Sequence, residues 1–323
     1  MNLRKNKIAC CLLIGLIMLV CEQSFSQVDT TKVAFVAYWS IGDVYDYKVT
    51  KIKEEWKEKI LKKKDSSQYI ASFKVIDSSD KHYKISWKYK NNFSDTYRLP
   101  KELVGKFSKY KFTEVIYTTT EMGEFVGIEN WEEIRDITKG VFVDVIETFK
   151  KEDPDKYNKM VEFMKPFVDI YSSKEGIEGV VLKELQYIHF PFGLEYDIRE
   201  VLEYEDEFPN MLGGDPIKAN AKLFFEDVDF ENEYCTIRQE SKINADDMKS
   251  VVLGLFKRMG LKGEKMREAM SKAKFDINDT NMYQYFYFPG VATNINTQRE
   301  VIINIEGKDA RRLEKTRIEL IIE

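Results

Sequence analysis

The chain has 323 residues, of which 50 are lysine or arginine and 55 aspartate or glutamate, for a formal net charge of −5 at pH 7. At this length, with 43% hydrophobic content, the chain can bury a sizeable core. The acidic balance disfavours nucleic acid or an anionic membrane as a partner through bulk electrostatics.

The first segment reads as an export signal. Arg4, Lys5 and Lys7 give a basic start, and Ile8 to Val20 is an apolar run too short to span a bilayer as a helix. Ser24-Phe25-Ser26 offers small residues for cleavage before Gln27. Residues 1–26 are therefore expected to be removed, and the protein to be periplasmic or extracellular. Cys21 offers a second route, lipidation, although Val20 stands where a lipobox carries a small residue. Without residues 1–26 the net charge is −7 and Cys235 is the single remaining cysteine, so no intramolecular disulfide is expected. Residues 27–323 are expected to form one domain, built as two similar halves at about 27–190 and 191–323.

Strand signals dominate the first half. Tyr45, Tyr47 and Val49 share one face of a strand, and the spacing of Ile52, Trp56 and Ile60 continues it as one long, bulged strand. Tyr69, Ala71, Phe73 and Val75 alternate next, followed by a hairpin through DSSDK. Tyr83, Ile85, Trp87 and Tyr89 then alternate with polar partners, the pattern of a half-buried strand. Residues 91–109 read as a loop. Phe112 to Thr120 and Phe125 to Ile128 form a hairpin that leads into a helix with an Asn130/Glu133 capping box and an apolar stripe beginning at Trp131 and Ile134.

Two more helices are expected. Asp153-Pro154 starts one that carries Met160, Phe163, Met164 and Phe167, with Pro166 as a kink or break. Ser172 with Glu175 caps the next. Both are apolar around more than half their circumference, which fits either a buried hairpin or a lid over an apolar cavity. The second half offers strands at 194–208, 217–225 and 234–243, then a helix capped by Asn244 and Asp247, and strands at 275–288, 301–305 and 313–322. Phe73, Asp77 and Ile85 are spaced like Phe225, Asp229 and Ile237, an echo between the halves.

Chemistry-bearing residues are sparse. His82 and His189 stand far apart without a partner at ligand spacing, so no zinc site is legible. No nucleotide-binding, metalloprotease or nucleophile-elbow motif occurs. Cys235 reads as a strand-packing residue. Asp227, Asp229, Glu231 and Glu233 alternate like calcium ligands, but Asn232 and Arg238 stand where an EF-hand needs glycine and glutamate, so a solvated hairpin tip is expected. Glu203, Glu205, Asp206 and Glu207 read as a charged strand edge.

The run YTTTEMGEFVGIENWEEI, with the later LGGDP turn, resembles segments of uncharacterised exported proteins of bacterial envelopes. The order of long antiparallel strands interrupted by covering helices is similar to the lipoprotein-carrier half-barrel family. That resemblance implies a curved sheet wrapped around helices with acyl chains held between them.

The expected fold is α+β: a large, curved, mostly antiparallel sheet, half-barrel-like, with helices packed on its concave side. The expected function is non-catalytic binding of a hydrophobic or lipidic ligand in the cell envelope, through Met160, Phe163, Met164, Phe167, Tyr285 and Phe286. A structural or interaction protein with a filled core is the alternative, and a carboxylate-dependent hydrolase the third. No catalytic residue, metal or cofactor is expected, and no nucleic-acid partner.

Overall fold

A computed structural model describes residues 31–90, 114–152, 154–181, 183–208, 210, 215–258 and 264–322. The expected export signal, the 91–109 loop and the turn at 211–214 lie outside the described residues, as do Gly260 and Gly263. Residues 33–323 form one compact unit.

The described residues form thirteen strands and five α-helices of seven residues or more. The strands are β1 (Lys32–Ala34), β2 (Val44–Lys57), β3 (Ile60–Ser78), β4 (His82–Tyr89), β5 (Glu114–Thr120), β6 (Phe125–Ile128), β7 (Glu195–Asp197), β8 (Leu202–Phe208), β9 (Ile217–Asp229), β10 (Tyr234–Ile243), β11 (Lys274–Phe286), β12 (Val291–Ile305) and β13 (Lys308–Leu320). The helices are α1 (Trp131–Glu152), α2 (Pro154–Ile170), α3 (Lys183–His189), α4 (Ala245–Arg258) and α5 (Glu264–Lys272), with a π-helical turn at Ile177–Val181 before α3. Among the described residues no helix is long and apolar enough to cross a membrane.

Eleven strands make one open sheet in the order β6-β5-β4-β3-β2-β13-β12-β11-β10-β9-β8, and β1 pairs with β7 in a separate ribbon. Among the described residues every strand pairing in the large sheet is antiparallel. The first half of the chain supplies β2 to β6 and the second supplies β8 to β13, so the halves meet where β2 pairs with β13. The charged β8 is an edge strand, where its carboxylates discourage further pairing.

The expected single strand through residues 44–64 is instead a hairpin. β2 and β3 turn at Glu58 and Lys59, both at positive φ (51° and 66°), with Lys57 opposite Ile60. Two left-handed residues in a two-residue loop match the twist of the flanking strands, although neither residue is a customary choice there. β12 starts at Val291, ten residues earlier than its apolar content suggests. β12 and β13 turn at Glu306 and Gly307, again both at positive φ.

One face of the sheet carries the cores. The larger cluster includes Tyr47, Phe73, Trp87, Tyr117, Ile237, Tyr283 and Tyr285 from the sheet, with Leu185 and Ile188 of α3 and Phe35, Trp39 and Phe192 of the flanking segments. A smaller one joins Ala219, Ile243, Phe275 and Ile277 to Met248, Val252 and Phe256 of α4 and Met270 of α5. Helices α3, α4 and α5 thus pack on the same face.

Asn244 caps α4 as expected, accepting from the backbone N–H of Asp246 (2.9 Å) and Asp247 (3.1 Å). The second cap falls on Ser173, one residue later than expected, and accepts from Gly176 N. Asn130 does something else: its Oδ1 accepts from Ile116 N (2.9 Å) and its amide donates to Glu114 O (3.1 Å). With Glu129 N donating to Ile116 O, the side chain extends the β5–β6 ladder by one more peptide-like rung. Glu133 meets the Asn130 side-chain amide and not its backbone N–H. α2 continues unbroken through Pro166.

Candidate functional site

His189 is the residue with the most chemical potential, and its surroundings have spent it. It is buried at the end of α3, with Nδ1 2.8 Å from Gly123 O and Nε2 2.9 Å from the Tyr117 hydroxyl. A carbonyl can only accept, so Nδ1 carries the proton and Nε2 accepts from Tyr117. Burial lowers its pKa to about 4, opposed by the Gly123 hydrogen bond, so the ring is neutral at pH 7. His82 pairs with Ser79 across the β3–β4 turn. Cys235 is buried, and burial, then Asp227, pushes its thiol up to about 12, far from a reactive thiolate.

Among the described residues no group of three His, Cys, Asp or Glu side chains could hold a metal ion. The 229–232 carboxylate chemistry is a turn device. Asp229 accepts from the backbone of Glu231 and Asn232 and from the Asn232 side chain, which hold its pKa below the usual carboxylate range.

The expected ligand residues divide. Tyr285 is fully buried, packed edge-on against Phe35 and Phe192, and its hydroxyl donates to the carbonyls of Tyr187 and Ile188. It is core, tying β11 to α3. Phe286 points to the other side, 37% exposed, against Tyr234. Met164 and Phe167 are half-buried on α2. The side chains of Met160 and Phe163 lie outside the described residues.

What sequence reasoning missed is a polar belt on the core-bearing face. Register places Ser241, Asp279, Arg299, Glu314, Lys53 and Asp65 opposite one another in turn across β10, β11, β12, β13, β2 and β3. From Asp279 onward the charges alternate in sign, the favourable arrangement for cross-strand neighbours. Asp279 is buried, and Arg299 Nε donates to its Oδ1 at 2.7 Å. Burial works against the Arg299 charge, but the Asp279 carboxylate outweighs it, so the guanidinium pKa rises. A second row holds Gln239, Asn281, Thr297, Thr316, Lys51 and Ser67. Asn281 Nδ2 and the Tyr283 hydroxyl both donate to Gln239 Oε1. A signal was available: Asp279 and Asn281 share parity with Phe275, Ile277, Tyr283 and Tyr285, so the inward face of β11 is polar at its middle.

The belt opens into a cleft of about 570 Å³ beside α3. Lys51, Lys53, Lys63 and Thr316 lie on its floor, and Lys183 and Tyr187 come from α3. Lys51 is paired with the buried Glu184, which also accepts from the Tyr69 hydroxyl at 3.0 Å. Tyr171, which follows α2, has its hydroxyl pKa raised by burial and by the charge of Glu314, which lines the cleft. Tyr171 also touches Phe142 of α1, ring centroids 5.6 Å apart. A second cleft of about 820 Å³ crosses β8 to β11 and is lined chiefly by charged and polar residues.

No protein-family model matches this chain, and no curated protein matches it. Among solved structures it is similar to one described as lipid-protein interactions in lipovitellin, with 8% sequence identity and a TM-score of 0.44. The likeness covers 88% of this chain and 25% of that one, so the chain spans about a quarter of the other's length. A likeness of that size says nothing about what this chain binds.

Proposed function

We propose that the chain is an exported, non-catalytic binding protein for an amphiphile. The polar head sits in the lysine-lined cleft beside α3, and the apolar tail runs along α2. The observation that carries this reading is a spacing joined to a charge. Met164, Phe167 and Tyr171 follow one another at i, i+3 and i+7, one side of a helix, and the charge of Glu314, which lines the cleft, acts on the Tyr171 hydroxyl. The cleft volume is of the order that small-molecule sites need, about 300–1,000 Å³. In this reading the face that bears the helices is the concave one.

The test is displacement of a fluorescent fatty acid. Wild type is expected to take it up, Met164→Asp and Phe167→Asp to lose uptake, and Lys183→Glu to weaken a fatty acid more than the matching fatty alcohol. Far-ultraviolet circular dichroism checks that each variant folds. No uptake by the wild type would overturn the reading. It would favour the second one, an interaction protein with a filled core. That alternative has its own support: Trp87, Tyr117, Tyr283 and Tyr285 are all but fully buried, and the three tyrosine hydroxyls each have a partner.

A further inference from the structure

The net charge of the chain is negative, yet one end of the sheet is strongly basic. The β2–β3 and β12–β13 turns lie side by side, joined by Glu58 N donating to Asp309 O at 2.9 Å. Residues 56–64 and 306–312 together carry eight lysine or arginine side chains and three carboxylates. Every residue from Lys57 to Ser66 is exposed, as is every residue from Glu306 to Arg312. Within this basic ring stand two aliphatic side chains that the fold leaves in water, Ile60 at 58% exposure and Leu61 at 46%.

The register shows how they are presented. Leu61 is opposite Trp56, Trp56 opposite Arg311, and Arg311 opposite Ile302, a row across four strands on the face away from the cores. The Arg311 guanidinium lies 4.5 Å from the centre of the Trp56 ring and pairs with Glu300. Ile60, opposite Lys57, points to the other face. Between Trp56 and Ile302 is a small cleft of about 240 Å³, whose walls include Lys59, Arg311 and Asp309.

We propose that these paired hairpin tips dock onto an anionic lipid surface. Ile60 and Leu61 enter the headgroup region, the surrounding lysines meet lipid phosphates, and the Trp56 cleft receives one phosphate-bearing headgroup. Each part answers a need of that surface. Exposed aliphatic side chains gain free energy only where they leave water, and lysines beside them gain only where the surface is negative. Tryptophan is at home at such an interface, and lysine stems can lie along it with their ammonium groups in the headgroups. A nucleic acid would reward the lysines, but it takes aliphatic side chains as a wedge between base steps or against a thymine methyl, a narrow fit that Ile60 and Leu61, on opposite faces of the hairpin, do not offer together. The negative charge of the whole chain does not oppose docking, since screening limits the field of distant carboxylates to about 8–10 Å at physiological salt.

The experiment is flotation with vesicles of phosphatidylcholine alone and of phosphatidylcholine mixed with phosphatidylglycerol, using the exported protein. Binding is expected to the mixed vesicles only, weakening as salt rises. Each lysine near an anionic surface contributes roughly five-fold. Lys57→Glu, Lys59→Glu and Lys62→Glu combined should therefore lower binding by at least about a hundred-fold. Ile60→Ser with Leu61→Ser should lower it by about ten-fold or more while keeping the salt dependence, as expected for two lost aliphatic insertions. All five positions are exposed, so unfolding midpoints should match wild type within error, and fatty-acid uptake in solution should be unchanged. That last measurement separates failure here from failure of the amphiphile reading. Equal binding to both vesicle types, or to mixed vesicles by wild type and both variants alike, would overturn the proposal. Duplex DNA binding that is lost with the lysines and kept by the Ser–Ser variant, without vesicle binding, would also overturn it.

Discussion

Asn130→Ala should cost more than the loss of a helix cap. The amide side chain satisfies two β5 backbone groups, Ile116 N–H and Glu114 C=O, at the point where β6 has ended. Losing a hydrogen bond costs about 1 kcal/mol net, and leaving a partly buried group without a partner adds to that. The expected total is about 2–3 kcal/mol, whereas a cap alone is worth about 1 kcal/mol. Asn130→Asp separates the two roles. Aspartate caps a helix as well as asparagine does, so a cap would tolerate the change. In the ladder, the carboxylate still accepts from Ile116 but sets an oxygen against the Glu114 carbonyl and another charge beside Glu133, which should cost about 1–2 kcal/mol. Urea unfolding at pH 7, followed by circular dichroism, reads both numbers, and the melting temperature of the alanine variant should fall by about 4–6 °C. An aspartate variant as stable as wild type, with alanine costing 1 kcal/mol or less, would show that Asn130 is an ordinary cap.

Ile134, 3% exposed, and not the half-buried Trp131, anchors the start of α1, so Ile134→Ala should cost about 2–4 kcal/mol and Trp131→Ala less in the same unfolding assay. Burial lowers the His189 pKa from 6.5 to about 4, so the unfolded chain takes up that proton first as pH falls. Stability should drop by up to about 3 kcal/mol between pH 6.5 and 4, and His189→Gln should flatten that part of the wild-type curve; identical curves would refute it. Glu58 and Lys59 hold left-handed conformations without glycine, so replacing them by Asn-Gly should stabilise the protein by about 0.5–1.5 kcal/mol, read as a rise in the urea midpoint.

The strands with strict alternation were legible because one face is buried and the other wet. Tyr83 to Tyr89 and Phe275 to Tyr285 needed nothing else. The β2–β3 turn was not, since Glu58 and Lys59 carry no turn chemistry and the apolar residues around them keep a continuous parity. The first part of β12 was hidden for a different reason: its inward residues Thr297 and Arg299 belong to the polar belt, so the period that marks a strand is missing there. Asn130 and Glu133 matched a capping box in sequence, but the spacing carries no information about β5 lying within reach. In the candidate site the apolar side of α2 could be read from Met164 and Phe167. The lysines of the cleft could not, because a charged strand reads the same whether a helix stands over it or only water does.

The polar belt also answers a problem that alternation leaves open. Side chains along a strand repeat every two residues, so a one-residue slip would turn the apolar set outward and is strongly disfavoured. A two-residue slip keeps every apolar side chain on the inner face, and burial of apolar area barely resists it. The alternating row does. Asp279 faces Arg299 and pairs with it, so a two-residue slip of β11 on β12 separates opposite charges, whereas Glu314, Lys53 and Asp65 face one another along the row but pair within their own strands, with Arg312, Glu55 and Lys63. At β11–β12 the separated pair includes the buried Asp279, and a buried charge that loses its partner costs about 3–5 kcal/mol. Toward β3 the row is more exposed and resists a slip less, with the Asp65 and Lys63 side chains at the cleft more than half exposed. Register is therefore fixed most firmly at the centre of the second half and least at the β2–β3 hairpin, where a two-residue turn has to set it. That hairpin holds the side chains we assign to the lipid surface.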